Sequence, residues 1–177
     1  MWDIVQTIIL LLTVIFIARE VRMLRNSNML QSLDRLREYW NSDKMMQYRK
    51  ITCLNFKSGK RSIALAEGEV LGFFEEIGLL WKKKVINLDF IWETYAYFIE
   101  HYWSMMQRNV QEYRDKTGDK SWYENFEQLC KALQQYSKKR GCPTYGKNPK
   151  EIEDFIVGEL GLENDEARGL NVDTKRQ

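Results

Sequence analysis

A chain of 177 residues can build one domain with a proper core and is short for two. Six Trp, nine Tyr and eight Phe beside only two Pro exclude a disordered or loop-rich chain and favour long helices. A net charge of +2 gives no electrostatic case for nucleic acid as a partner.

The charge is uneven along the chain. Residues 1–18 carry only Asp3, residues 150–177 carry four basic and eight acidic side chains, and the stretch between carries 23 basic against 16 acidic ones. Such a mildly basic body suits anionic lipid headgroups, and it equally suits an ordinary solvated surface. Cys53, Cys130 and Cys142 form neither a CxxC pair nor an even set. Neither a disulfide framework nor a zinc site is expected, and reduced thiols in a cytoplasmic domain fit best.

The N-terminus opens with an apolar run from Ile4 to Ala18. Fifteen helical residues reach about 22 Å, against a hydrocarbon core of about 30 Å. Trp2 at one interface and Arg19 at the other extend the reach. A cleaved signal peptide needs a basic start and a small-residue cleavage site, and an interfacial helix needs a charged face; the run has neither. The expectation is a single transmembrane helix within residues 1–25. Arg19, Arg22 and Arg25 form a lipid-facing basic flank, and their position sets the N-terminus outside and the domain on the cytoplasmic side of the plasma (inner) membrane. Gln6 and Thr13, one heptad apart, are candidate contacts for a second copy of the span. A lone Gln near the headgroups needs no partner, and that reading is preferred.

A helical stretch then runs to Trp40, with Met29, Leu33, Leu36 and Trp40 on one stripe. Asn41-Ser42-Asp43 breaks it and caps a short helix over 44–56, whose inner side is Met45, Tyr48 or Arg49, Cys53 and Leu54. The polar loop 57–61 lacks a phosphate-loop pattern. The next helix, 62–81, turns Val70, Phe73, Phe74, Ile77 and Trp81 inward. Gly68, Gly72 and Gly78 within it each cost about 1 kcal/mol relative to Ala, so they predict close approach of another helix, or a helix end at Gly78. Lys82–Lys84 turn the chain, and Asn87 caps a long helix from Leu88 to about Lys116 whose apolar face is too broad for a surface helix. Together these make a long helical hairpin. Gly118 closes it. Ser121 and Glu124 spell a capping box for a helix to Arg140, with Phe126, Leu129, Cys130, Leu133 and Tyr136 inward. Pro149 starts a short amphipathic helix lined by Ile152, Phe155, Ile156 and Leu160. From 163 a disordered tail is expected.

The chemistry in this pattern is sparse. His101 has no metal-ligand spacing around it and reads as a hydrogen-bonding residue at a partly buried position. Glu75, Glu76 and Glu127 lie beside apolar core positions, and Arg49 faces inward, so these four form a candidate buried polar cluster. Buried carboxylates need partners, and fixing helix register is the preferred role over acid–base catalysis. No catalytic, metal-binding or cofactor-binding residue is assigned.

FFEEIGLL over 73–80, NLDFIWETYAYFIEHYW over 87–103 and YENFEQL over 123–129, behind an apolar N-terminus, resemble the domain-of-unknown-function 4760 family of prokaryotic membrane-anchored proteins. The likeness covers about residues 1–140. It implies architecture and origin and supplies no activity. The sequence therefore predicts an all-α protein: one transmembrane helix, a cytoplasmic helical bundle over 26–162 and a tail. The function it favours is a non-enzymatic interaction or regulatory module, with membrane lipids and a protein partner or second copy as company. The alternatives are a membrane-linked effector of a stress or phage-defence system that acts by assembling its span, and an enzyme built on the buried carboxylates. Toxicity relieved by Gln6→Leu would mark the effector, and loss of function by a folded Glu76→Gln protein would mark the enzyme.

Overall fold

The computed structural model describes residues 2–173, leaving the side chains of 3–5, 8, 22, 24–28 and 162–173 undescribed. All regular structure among them is helical: α1 (Trp2–Trp40), α2 (Asp43–Lys57), α3 (Leu65–Lys82), α4 (Leu88–Thr117), α5 (Glu124–Lys139) and α6 (Pro149–Asp173). The chain divides into two compact units, Met1–Tyr39 and Trp40–Gln177.

The first unit is α1 alone. Among the described residues, no helix is long and apolar enough to cross a membrane. This overturns the expected transmembrane helix. The apolar run is short, and it belongs to a 39-residue helix that continues without a break into charged sequence from Arg19 and Glu20 onward. Within the run, Ile9–Leu12 and Val14–Ile17 are each more than half exposed. Thr13 donates its hydroxyl to the Ile9 carbonyl at 2.9 Å, within its own helix. Gln6 and Arg19 are exposed, whereas the side chains of Arg22 and Arg25 lie outside the described residues.

In the second unit the local signals mostly act as read. Ser42 caps α2 by accepting from Met45 N–H, and Asn87 caps α4 by accepting from Phe90 N–H at 2.8 Å. Gly118 ends α4 with φ +70, the left-handed region that suits a residue without Cβ. Met45, Arg49 and Cys53 are buried, but Leu54 is exposed and Thr52 takes the inward position. The helix from Pro149 continues to Asp173, beyond the point where a tail was expected.

The core is aromatic and centres on Trp40. Its ring stacks on Phe73 at 4.8 Å and lies 5.3 Å from Phe74 and 5.1 Å from Phe98. Phe74 stacks in turn on Phe126 at 5.0 Å. Such offset and edge-on pairs add about 0.5–1.5 kcal/mol each beyond area burial. These rings also set how the helices meet. The close backbone pairs are α3 with α5, α2 with α3, α4 with α5, and α6 with α2 and α4. The helices α3 and α4, expected as a long hairpin, meet through large side chains such as Phe73 against Tyr95 and Phe74 against Tyr102, and by backbone approach α5 is the nearer neighbour of α3.

Of the three glycines in α3, only Gly78 marks a close approach. A Cβ there would sit 2.4 Å from the Asn125 carbonyl oxygen at the start of α5, whereas one at Gly72 would meet nothing. Backbone cannot yield as a side-chain tip can. Gly78→Ala is therefore expected to lower stability by about 2 kcal/mol despite its better helix propensity, and Gly72→Ala to leave it unchanged or raised. Urea midpoints of the two variants check this.

Candidate functional site

The helix α4 carries most of the polar chemistry of the domain, because its breadth brings it against α2, α5 and α6. At its centre lies a closed cluster. Arg49 of α2 donates from Nε and Nη2 to the two carboxylate oxygens of Glu159 in α6, at 2.7 Å each. Tyr102 of α4 donates its hydroxyl to Glu159 Oε2 at 2.8 Å. The guanidinium also lies 4.1 Å from the Trp40 ring centre and 5.4 Å from that of Phe98. Arg49 and Glu159 are each 4% exposed and Tyr102 is fully buried. Burial pulls the guanidinium toward losing its proton, but the bonds to Glu159 more than offset this and hold its pKa above the ordinary value. Burial and the same carboxylate push the Tyr102 hydroxyl well up, and push the neighbouring Cys53 thiol up to about 12. A reactive cysteine needs a lowered pKa and access. Cys53 has neither, and the cluster joins α2, α4 and α6 through Arg49, Tyr102 and Glu159.

One turn away, Glu100 and His101 face the segment 141–148. Glu100 accepts from Tyr145 N–H at 2.7 Å through Oε2, while its Oε1 is buried without a hydrogen-bond partner. Gly146 presses the segment onto α4: its φ is +71, and a Cβ would meet Ser104 Oγ at 2.7 Å. Burial raises the Glu100 carboxyl to about 7. His101 is buried, stacks on Phe155 at 4.5 Å, and has Nδ1 2.6 Å from the Tyr97 carbonyl. That carbonyl can only accept, so Nδ1 carries the proton. Nε2 lies 3.7 Å from Glu151. Burial lowers the His101 pKa, with the Tyr97 carbonyl and Glu151 opposing.

The four residues read from sequence as one cluster occupy separate places. Arg49 meets Glu159. Glu75 reaches across to α5, accepting from Asn125 N–H at 3.2 Å, Asn125 Nδ2 at 2.7 Å and Phe126 N–H at 2.8 Å. A carboxylate at a helix N-terminus satisfies free N–H groups and opposes the helix dipole. This cap from another helix replaces the expected Ser121 box: α5 starts one residue after Tyr123, which stands at φ +57 and makes no side-chain cap. Glu76 is exposed. Glu127 pairs with Arg114 at 2.7 Å and with Lys131. Burial works to raise its pKa, but those two cations hold it below the usual range.

A surface cleft of about 660 Å³ lies beside that last pair, lined by Phe56, Arg61, Trp103, Arg108, Arg114 and Glu127 among others. Among the described residues, no group of three His, Cys, Asp or Glu is placed to hold a metal ion.

The model of the Domain of unknown function (DUF4760) family matches residues 4–133. The chain belongs to the DUF4760 family. No curated protein and no solved structure matches it. The DUF4760 match takes in α1 to α4 and most of α5, and stops short of α6. Arg49 and Tyr102 thus fall inside the matched region and their carboxylate, Glu159, outside it. Sequence periodicity places Glu159 on the α6 face of Ile152, Phe155 and Ile156, so its inward direction is legible in the spacing alone.

Proposed function

We propose that this chain is a non-enzymatic interaction or regulatory module held at the cytoplasmic face of the inner membrane by partial insertion of the apolar stretch of α1 into the lipid, without crossing it. The observation that carries this reading is the exposure of Ile9–Leu12 and Val14–Ile17 on all sides of one helix. A helix apolar all round needs apolar surroundings, and Arg19 directly after it suits anionic headgroups. Two further features support the reading. The buried pair Arg49 and Glu159 is spent on itself, and the three cysteines are free thiols, which suits a reducing compartment.

Co-sedimentation with phosphatidylglycerol-containing vesicles tests it. The protein is expected to pellet with vesicles, and Leu12→Asp/Ile15→Asp to move at least nine-tenths of it to the supernatant with its helical circular dichroism retained. Equal pelleting of the double variant would overturn the reading. So would an oligomer that forms without vesicles and dissociates in the variant, which would assign the stretch to a second copy.

A further inference from the structure

The cleft beside Arg114 is a second feature, formed within the folded domain and separate in its chemistry from α1. We propose that it binds a small phosphorylated molecule carrying a planar ring, of which a mononucleotide is the simplest class.

The charge of the cleft comes first. Three arginines, Arg61, Arg108 and Arg114, line it with one carboxylate, Glu127. Glu127 is already held by Arg114 and Lys131, so its charge is largely answered from its own side. The remaining positive charge calls for an anion. Arg114 is the fixed point. Its Nε donates to the Trp122 carbonyl at 2.9 Å and its Nη1 to Glu127 at 2.7 Å, which sets the plane of the guanidinium. Its Nη2 is buried and has no hydrogen-bond partner, on a residue only 9% exposed. A buried N–H without an acceptor is costly, and a ligand oxygen that reached it by a small shift of the cleft lining would satisfy it. Arg61 and Arg108 are exposed at the rim, with Arg108 Nε bonded to Glu112 at 3.0 Å. Several guanidinium groups lining one cleft suit the dianionic, many-oxygen phosphate better than a single carboxylate.

The other wall selects a ring. Trp103, Phe56 and Met105 supply apolar lining. The Trp103 indole is braced edge-on against Phe126 at 5.1 Å and 79°, so it stands as a fixed surface. Aromatic faces next to a basic groove favour stacking of a base. Gln107, Gln111 and Ser104 provide hydrogen-bonding groups around it. The volume, about 660 Å³, is in the range of small-ligand sites.

Calorimetric titration of the full-length protein with adenosine 5′-monophosphate, adenosine and inorganic phosphate separates the parts. The monophosphate is expected to bind at least tenfold more tightly than either fragment. Arg61→Gln/Arg108→Gln, both at exposed positions that leave the core intact, should weaken it at least fivefold, and so should Trp103→Leu. Adenosine binding as tightly as the monophosphate would overturn the assignment of the arginines. Phosphate binding as tightly would overturn that of the ring wall. Failure of the monophosphate to bind, or binding unchanged in the arginine double variant, would overturn the proposal as a whole.

Discussion

Glu159→Ala is expected to destabilise the domain by about 3–5 kcal/mol, read as a fall in the urea midpoint with little change in slope. The carboxylate accepts two bonds from Arg49 and one from Tyr102, all between 2.7 and 2.8 Å. Its loss leaves a guanidinium that is 4% exposed with no counter-charge, and a fully buried phenol with no acceptor. Removing the cation instead, by Arg49→Met, strands the carboxylate and should cost the same order. Replacing both, by Arg49→Met/Glu159→Leu, should recover most of the loss, because the dehydrated pair is then gone and the stem of the methionine still rests on Trp40. A cost below about 1 kcal/mol for Glu159→Ala would mean that water reaches the pair, since exposed ion pairs contribute that little. The contact also ties α6 to the part of the chain that the family model matches. Residues 4–133 taken alone would keep Arg49 and lack its carboxylate.

The helices were legible wherever a local signal sufficed. The Asn87 cap, the Gly118 stop and the apolar spacing of Val70, Phe73, Phe74 and Ile77 all act within one or two turns of chain. Partner choice among the polar residues was not legible. Glu75 answers α5 across 50 residues, and Arg49 answers Glu159 across 110. Several helices offered a carboxylate to Arg49, and only the folded geometry selects among them. The same holds for Ser121 and Glu124, whose spacing fits a capping box. It loses to a carboxylate delivered from α3, because Gly78 lets the start of α5 come close enough for Glu75 to reach its N–H groups. The α1 reading failed on length: the apolar composition was read correctly, but the run is short and its helix carries straight on into charge.

Glu100 should make the domain less stable as pH rises from about 4.5 to 7. Burial raises its carboxyl from the ordinary 4.5 to about 7, while the Tyr145 N–H and Lys147 pull the other way and Glu151 adds to the rise. Across that window the folded state holds a proton that the unfolded state has released, so raising the pH favours unfolding, by up to about 3 kcal/mol at 1.36 kcal/mol per pH unit. His101 works in the opposite sense. Its lowered pKa means that the folded state binds fewer protons below pH 6.5, so its share of stability grows as pH rises toward 6.5. Wild-type stability therefore mixes the two, and the variant Glu100→Gln separates them, since it keeps His101, Glu151 and Lys147 in place. Relative to wild type, Glu100→Gln should gain stability steadily from pH 5 to about pH 7 in urea titrations and hold that gain at higher pH. The gain should be largest above pH 7, where the wild-type carboxylate must be ionised beside Cys130 and the 141–148 segment with its Oε1 unpaired. A difference between the two proteins that stays flat with pH would show that the folded carboxyl ionises as it does in water.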